Sequence, residues 1–117
     1  MRKILAAGFI IAATAGPTVQ VRGAEIPIPR TMADKGKYYL LDVKTQGSIV
    51  TSLHKRVGVN ETGYSKTEIN CKSMQYRDMG YSEDGPDKIA DSPGKWTDVL
   101  TGSSKSDLVN FVCARNP

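Results

Sequence analysis

Two cysteines behind an export-type leader constrain this chain more than any other feature. Cys71 sits in the strand-like run 67–72, and Cys113 closes the helix-like run 107–113. In an exported domain of about a hundred residues an even pair reads as a structural bridge rather than a reactive site. Such a bridge staples the end of the chain to a sheet. Closing a loop of about forty residues removes denatured-state entropy worth ~4 kcal/mol, much of the net stability of a small domain.

The leader is legible in the first residues. Arg2 and Lys3 precede an apolar stretch from Ile4 to Ala15 that ends in a small-x-small pattern, the layout of a signal peptide. As a helix this stretch would reach about 18 Å, short of a hydrocarbon core of about 30 Å, so no stable membrane insertion is expected after its removal. Cleavage after Ala15 is favoured. A cut after Ala24 would put Arg22 where a small residue is wanted. No cysteine follows the leader closely, so nothing there accepts a lipid. Removal takes Arg2 and Lys3 with it and lowers the formal charge by two from +4. The remainder is mixed in sign, without a basic run or interleaved aromatics, and no nucleic-acid partner is expected.

Residues 16–36 carry Pro17, Pro27 and Pro29 and little periodicity, which reads as an extended mature N-terminus. Along 26–29 a linker is favoured over a sheet edge, since proline cannot donate to a ladder. A single domain is expected over 37–117. Within it, 37–43 and 48–59 are rich in aromatic and β-branched residues and separated by Gly47-Ser48, a hairpin pattern. In the second strand Ile49, Thr51, Leu53, Lys55 and Val57 form the expected buried face, leaving His54 on the wetter side. Residues 64–73 form another strand, with Ile69 and Cys71 facing the core. Residues 74–81 make a further strand leading into the turn-rich 82–87. Trp96 is the expected core anchor of a short strand at 96–100. Ser104 and Asp107 match a helix-start signature, and Leu108, Phe111 and Val112 line one face of the helix that follows.

The segment from Tyr64 to Arg77, then Tyr81-Ser82, Trp96 and the run from Gly102 to Cys113, resembles the bacterial surface-adhesin protein E family. Residues 39–57 fit that family's opening hairpin more loosely. The resemblance implies an α+β fold, an antiparallel sheet of about six strands with a C-terminal helix tethered by a Cys71–Cys113 disulfide. It also implies adhesin-like binding, since the family takes its name from an outer-surface lipoprotein that binds host matrix and plasma proteins. This chain departs from the namesake in having no lipid-acceptor cysteine, and no ligand-binding motif carries over to particular positions.

Other chemistries have little support. A cysteine nucleophile needs a nearby base, and His54 is the only histidine. A serine hydrolase lacks a Gly-x-Ser-x-Gly turn. Glu83, Asp84 and Asp87 crowd one loop without the spacing of a calcium loop. Asn60-Glu-Thr62 matches a glycosylation acceptor but reads as a turn under the bacterial origin that the resemblance implies. No catalytic residue, cofactor or metal is therefore expected. Alternation puts Tyr38 and Tyr39 on opposite faces, so one of them should be exposed and available to a partner. The expectation is an exported, non-enzymatic binding protein of the periplasm or cell surface, with a protein or other macromolecule as ligand. A small secreted hydrolase or hydrolase inhibitor is the alternative.

Overall fold

The computed structural model describes residues 25–31 and 35–115. The expected signal peptide and both candidate cleavage sites lie outside the described residues. Within them the chain forms a six-stranded antiparallel meander: β1 (Ile26–Pro27), β2 (Lys37–Gln46), β3 (Ile49–Val57), β4 (Thr62–Asn70), β5 (Gln75–Ser82) and β6 (Thr97–Asp98). Each strand pairs with its neighbour in sequence. A helix, α1 (Ser104–Arg115), closes the C-terminal end. The predicted fold class is thus the observed one.

The register decides what faces the helix. On that side Thr45, Val50, Ile69 and Tyr76 line up across the four central strands, followed by Val43, Ser52, Thr67 and Asp78, and then by Leu40, His54, Ser65 and Tyr81. A shift between Leu40 and Asp42 inserts Leu41 as an extra residue in β2. A bulge of this kind changes parity, which is how Leu40 and Val43 share one face. Leu108, Val109 and Val112 of α1 pack with Leu40, Val50, Ile69 and Ile28 into the buried cluster. Cys71 and Cys113 bond beside it with a Cα–Cα distance of 5.6 Å, inside the usual range for a disulfide.

Four expectations are corrected. The buried face of β3 is Val50, Ser52 and His54, not the Ile49 to Val57 set. Both faces of this strand mix apolar and polar residues, so alternation alone does not choose between them. The choice is made by cross-strand partners: Val50 lies opposite Ile69, on the cysteine side of β4, while Leu53 lies opposite Lys66.

Trp96 is 37% exposed rather than a core anchor. It precedes Thr97, which pairs with Tyr76, so alternation turns the indole away from the helix, where the Arg77 guanidinium lies 4.9 Å from its ring centre.

Residues 26–28 are a sheet edge. Ile26 and Pro27 pair with Leu40 and Tyr39, and the Ile28 amide, between two prolines, donates to the Tyr38 carbonyl at 2.9 Å. The prolines are tolerated because this strand has only one neighbour.

The helix cap lies one residue earlier than expected. The Ser106 amide donates to Ser103 Oγ at 3.1 Å and the Asp107 amide to the Ser103 carbonyl at 3.2 Å.

Beyond a 3-10 turn at Pro86–Lys88, the chain returns along the outer edge of β5. There Ser92 and Gly94 donate their amides to the carbonyls of Met79 and Asp78. This covers an edge that would otherwise invite pairing with another chain.

Candidate functional site

The sheet face beneath α1 is graded. Under the helix's second half lie Val50, Ile69 and the disulfide; toward its first turn the same strands supply His54, Arg56 and Ser65. Where the helix begins, sheet and helix part to leave a cleft of about 220 Å³. Its floor is His54 and Ser65, opposite one another in register. Its walls include Tyr38, Arg56 and Glu61 on one side and Ser104, Lys105 and Leu108 on the other.

The N-terminal segment completes the wall. Arg30 stacks on Tyr38 with its guanidinium carbon 3.7 Å from the ring centre, while its Nε donates to Asp107 Oδ2 at 3.0 Å. Thr31 adds a backbone bond to the same oxygen at 3.0 Å and a hydroxyl bond to Oδ1 at 2.8 Å. Burial by itself would raise the Asp107 carboxyl, but the Thr31 and Arg30 donors outweigh it and hold the group below the usual carboxylate range. Asp107 thus ties the chain's beginning to the first turn of its last helix.

Arg56 donates through Nε to Tyr38 Oη at 3.0 Å. It lies where a Cβ on either Gly36 or Gly58 would overlap its guanidinium, so these glycines leave the room it occupies. Gly63 does the same for Tyr81, whose ring a Cβ there would strike. Tyr81 is 56% exposed at the mouth of the cleft, and its hydroxyl donates to Glu83 Oε2 at 3.1 Å. Lys105 donates to Asp78 Oδ1 at 2.6 Å and lies 4.9 Å from the Tyr76 ring centre.

His54 is only 8% exposed. Burial pushes its pKa down to about 4, with the Lys105 ammonium acting in the same direction and the Asp78 carboxylate opposing. The imidazole is therefore neutral at ordinary pH, and its Nδ1 has no hydrogen-bond partner among the described residues. The reading of His54 as a solvated strand residue is overturned by the same change of face that buried Val50.

Tyr38 and Tyr39 do lie on opposite faces, yet both are half-buried. Tyr38 belongs to the cleft. Tyr39 lies on the far face with the Lys55 ammonium 5.3 Å from its ring centre, and Lys55 in turn pairs with Glu25. The exposed aromatics are instead Tyr81, at the cleft, and Trp96, on the far face. Sequence reasoning missed Arg30, Arg56 and Lys105, and read Tyr81 as one of several aromatics that could form a recognition patch without choosing it. Arg56 could have been found from its alternation with Val50, Ser52 and His54, whereas Arg30 and Lys105 arrive from opposite ends of the chain. Among the described residues no group of three or more His, Cys, Asp or Glu side chains is placed to hold a metal ion, and no helix is long and apolar enough to cross a membrane.

Comparison of the chain with protein-family models, with curated proteins and with solved structures gives no match.

Proposed function

We propose that this chain is an exported, non-enzymatic, adhesin-like protein that binds a macromolecule of a host surface or of the cell envelope through the face on which the cleft opens. The observation that carries the reading is the make-up of the cleft: donors held in place by Asp107, Tyr38 and paired glycines, around an imidazole that is a poor base. A general base works best when its pKa lies near the working pH, and a histidine near 4 surrenders most of that driving force. Fixed polar walls without a tuned base suit recognition better than turnover. The export leader and the disulfide fit a setting outside the reducing cytoplasm.

The test is a solid-phase assay of purified protein on immobilised matrix proteins and on fractionated envelope. A Tyr81→Ala variant, altered at the exposed mouth of the cleft, serves as the control. Saturable binding to one macromolecule, weakened in the variant, supports the reading; no saturable binding on either surface overturns it.

A further inference from the structure

We propose that Asp84-Gly85 is a self-modification site, where the chain rearranges its own backbone to isoaspartate without an enzyme or cofactor. The reaction joins two neighbours and is independent of the binding reading above. The Gly85 amide nitrogen attacks the side-chain carbonyl carbon of Asp84 in its neutral acid form. A carbon-nitrogen bond forms, and the carboxyl hydroxyl leaves with the amide proton as water. Water then opens the cyclic imide. Addition at the side-chain carbonyl restores aspartate, whereas addition at the main-chain carbonyl breaks the original bond to nitrogen and leaves the backbone running through the side chain of residue 84. Nothing is oxidised or reduced, and water is the one other reactant.

Neighbouring groups in one chain meet at a high effective concentration, so the site is decided by whether either group is already held. Asp84 is exposed, and its carboxylate has no hydrogen bond or ion pair among the described residues. Gly85 brings no Cβ to block the approach and takes φ 135°, a conformation open to glycine and rarely to other residues. Its amide, the nucleophile, donates to no acceptor among the described residues. The other described aspartates fail on one count or another. Asp42 Oδ1 accepts the amide of the next residue, Val43, at 2.9 Å. The amides that follow Asp87, Asp91 and Asp98 donate to the carbonyls of Gly85, Met79 and Met74. Asp78 is paired with Lys105, and Asp107, within α1, with Arg30.

Isoaspartate adds a backbone carbon just beyond β5. The Gly85 carbonyl accepts the Lys88 amide at 3.1 Å to close the 3-10 turn, and the return segment that follows covers the β5 edge through Ser92 and Gly94. The modification therefore acts on the cover of a strand edge.

The test is peptide mapping of the purified protein after prolonged warming in mildly acidic buffer, with fragment ions that tell isoaspartate from aspartate. Asp84 should carry most of the isoaspartate, alongside a minor form of the same peptide lighter by one water. An Asp84→Glu variant, whose longer side chain closes the larger ring slowly, should lose both signals while its thermal midpoint stays in place. Amide exchange at Ser92 and Gly94 should be several-fold faster in the modified protein than in the fresh protein, and should stay at the fresh rate in warmed Asp84→Glu. No isoaspartate at residue 84, or an equal yield at Asp87 or Asp91, overturns the site. Unchanged exchange in the modified protein overturns its link to the edge.

Discussion

Arg30 and Asp107, 77 residues apart in sequence, meet through a 3.0 Å bond from the guanidinium Nε to the carboxylate. Their side chains are 13% and 4% exposed, so neither charge is well served by water when the other is removed. Breaking a buried pair on one side is expected to cost ~3 kcal/mol. Asp107→Ala should therefore lower the urea midpoint sharply. Glu25→Gln, which removes a half-exposed partner of Lys55, should stay within ~1 kcal/mol. Similar small losses at both sites would show that the N-terminal segment is not held by Asp107.

His54 makes stability depend on pH. The folded imidazole titrates at about 4, whereas an unfolded histidine titrates near 6.5. Between those values the unfolded chain binds the extra proton, so stability rises with pH across that window and is fully present above it. Acidification through the window should cost ~3 kcal/mol, and a His54→Gln variant should flatten the curve there. Asp107 acts lower. Its depressed carboxyl contributes stability above the unfolded carboxylate pKa, lost as pH falls through the lower folded value. Denaturation midpoints measured across both windows separate the two groups, and an unchanged slope in His54→Gln would remove the histidine from the account.

The disulfide holds the far end of the same helix. A Cys71→Ser/Cys113→Ser double variant should lose ~4 kcal/mol by the chain-entropy model. The intact protein should take up no thiol label before reduction, since Cys71 and Cys113 are bonded to each other. Stoichiometric labelling of native protein would contradict the bridge.

Local patterns made much of this legible. Alternation and turn residues placed the strands along 37–57 and 64–81, and the serine cluster before Leu108 marked the helix start. The cysteine pair joined the two. What depends on pairing at a distance was hidden. No local signal tells β3 that Val50 will face Ile69, or that Leu41 will be squeezed out of register. Nor does one announce that Arg30 will cross to the last helix. The cleft is assembled from those three long-range choices, which is why its tyrosines were noticed in sequence while its arginines were passed over and its histidine was put on the wrong face.

The helix cap offers a sharp comparison because two serines stand side by side. Ser103 Oγ accepts the Ser106 amide, so Ser103→Ala should cost ~1 kcal/mol. Ser104 is the first helical residue, and Ser104→Ala should stay within ~0.5 kcal/mol. Thermal midpoints of the two variants decide the matter, and the reverse order would move the cap back to Ser104.

The face of β3 can be tested with a charge. Val50 is 1% exposed in the cluster under α1, so Val50→Asp buries a carboxylate with no cation in register. The penalty is on the order of 5 kcal/mol or more, enough to unfold a small domain. Leu53→Asp places the same group on the opposite face, between Lys66 and Asp42 in register, where cross-strand attraction and repulsion offset one another and only a half-buried apolar contact is lost. Circular dichroism should show a cooperative transition for Leu53→Asp and none for Val50→Asp. If the outcomes were exchanged, the strand would be turned over and His54 would return to solvent, taking the floor of the cleft with it.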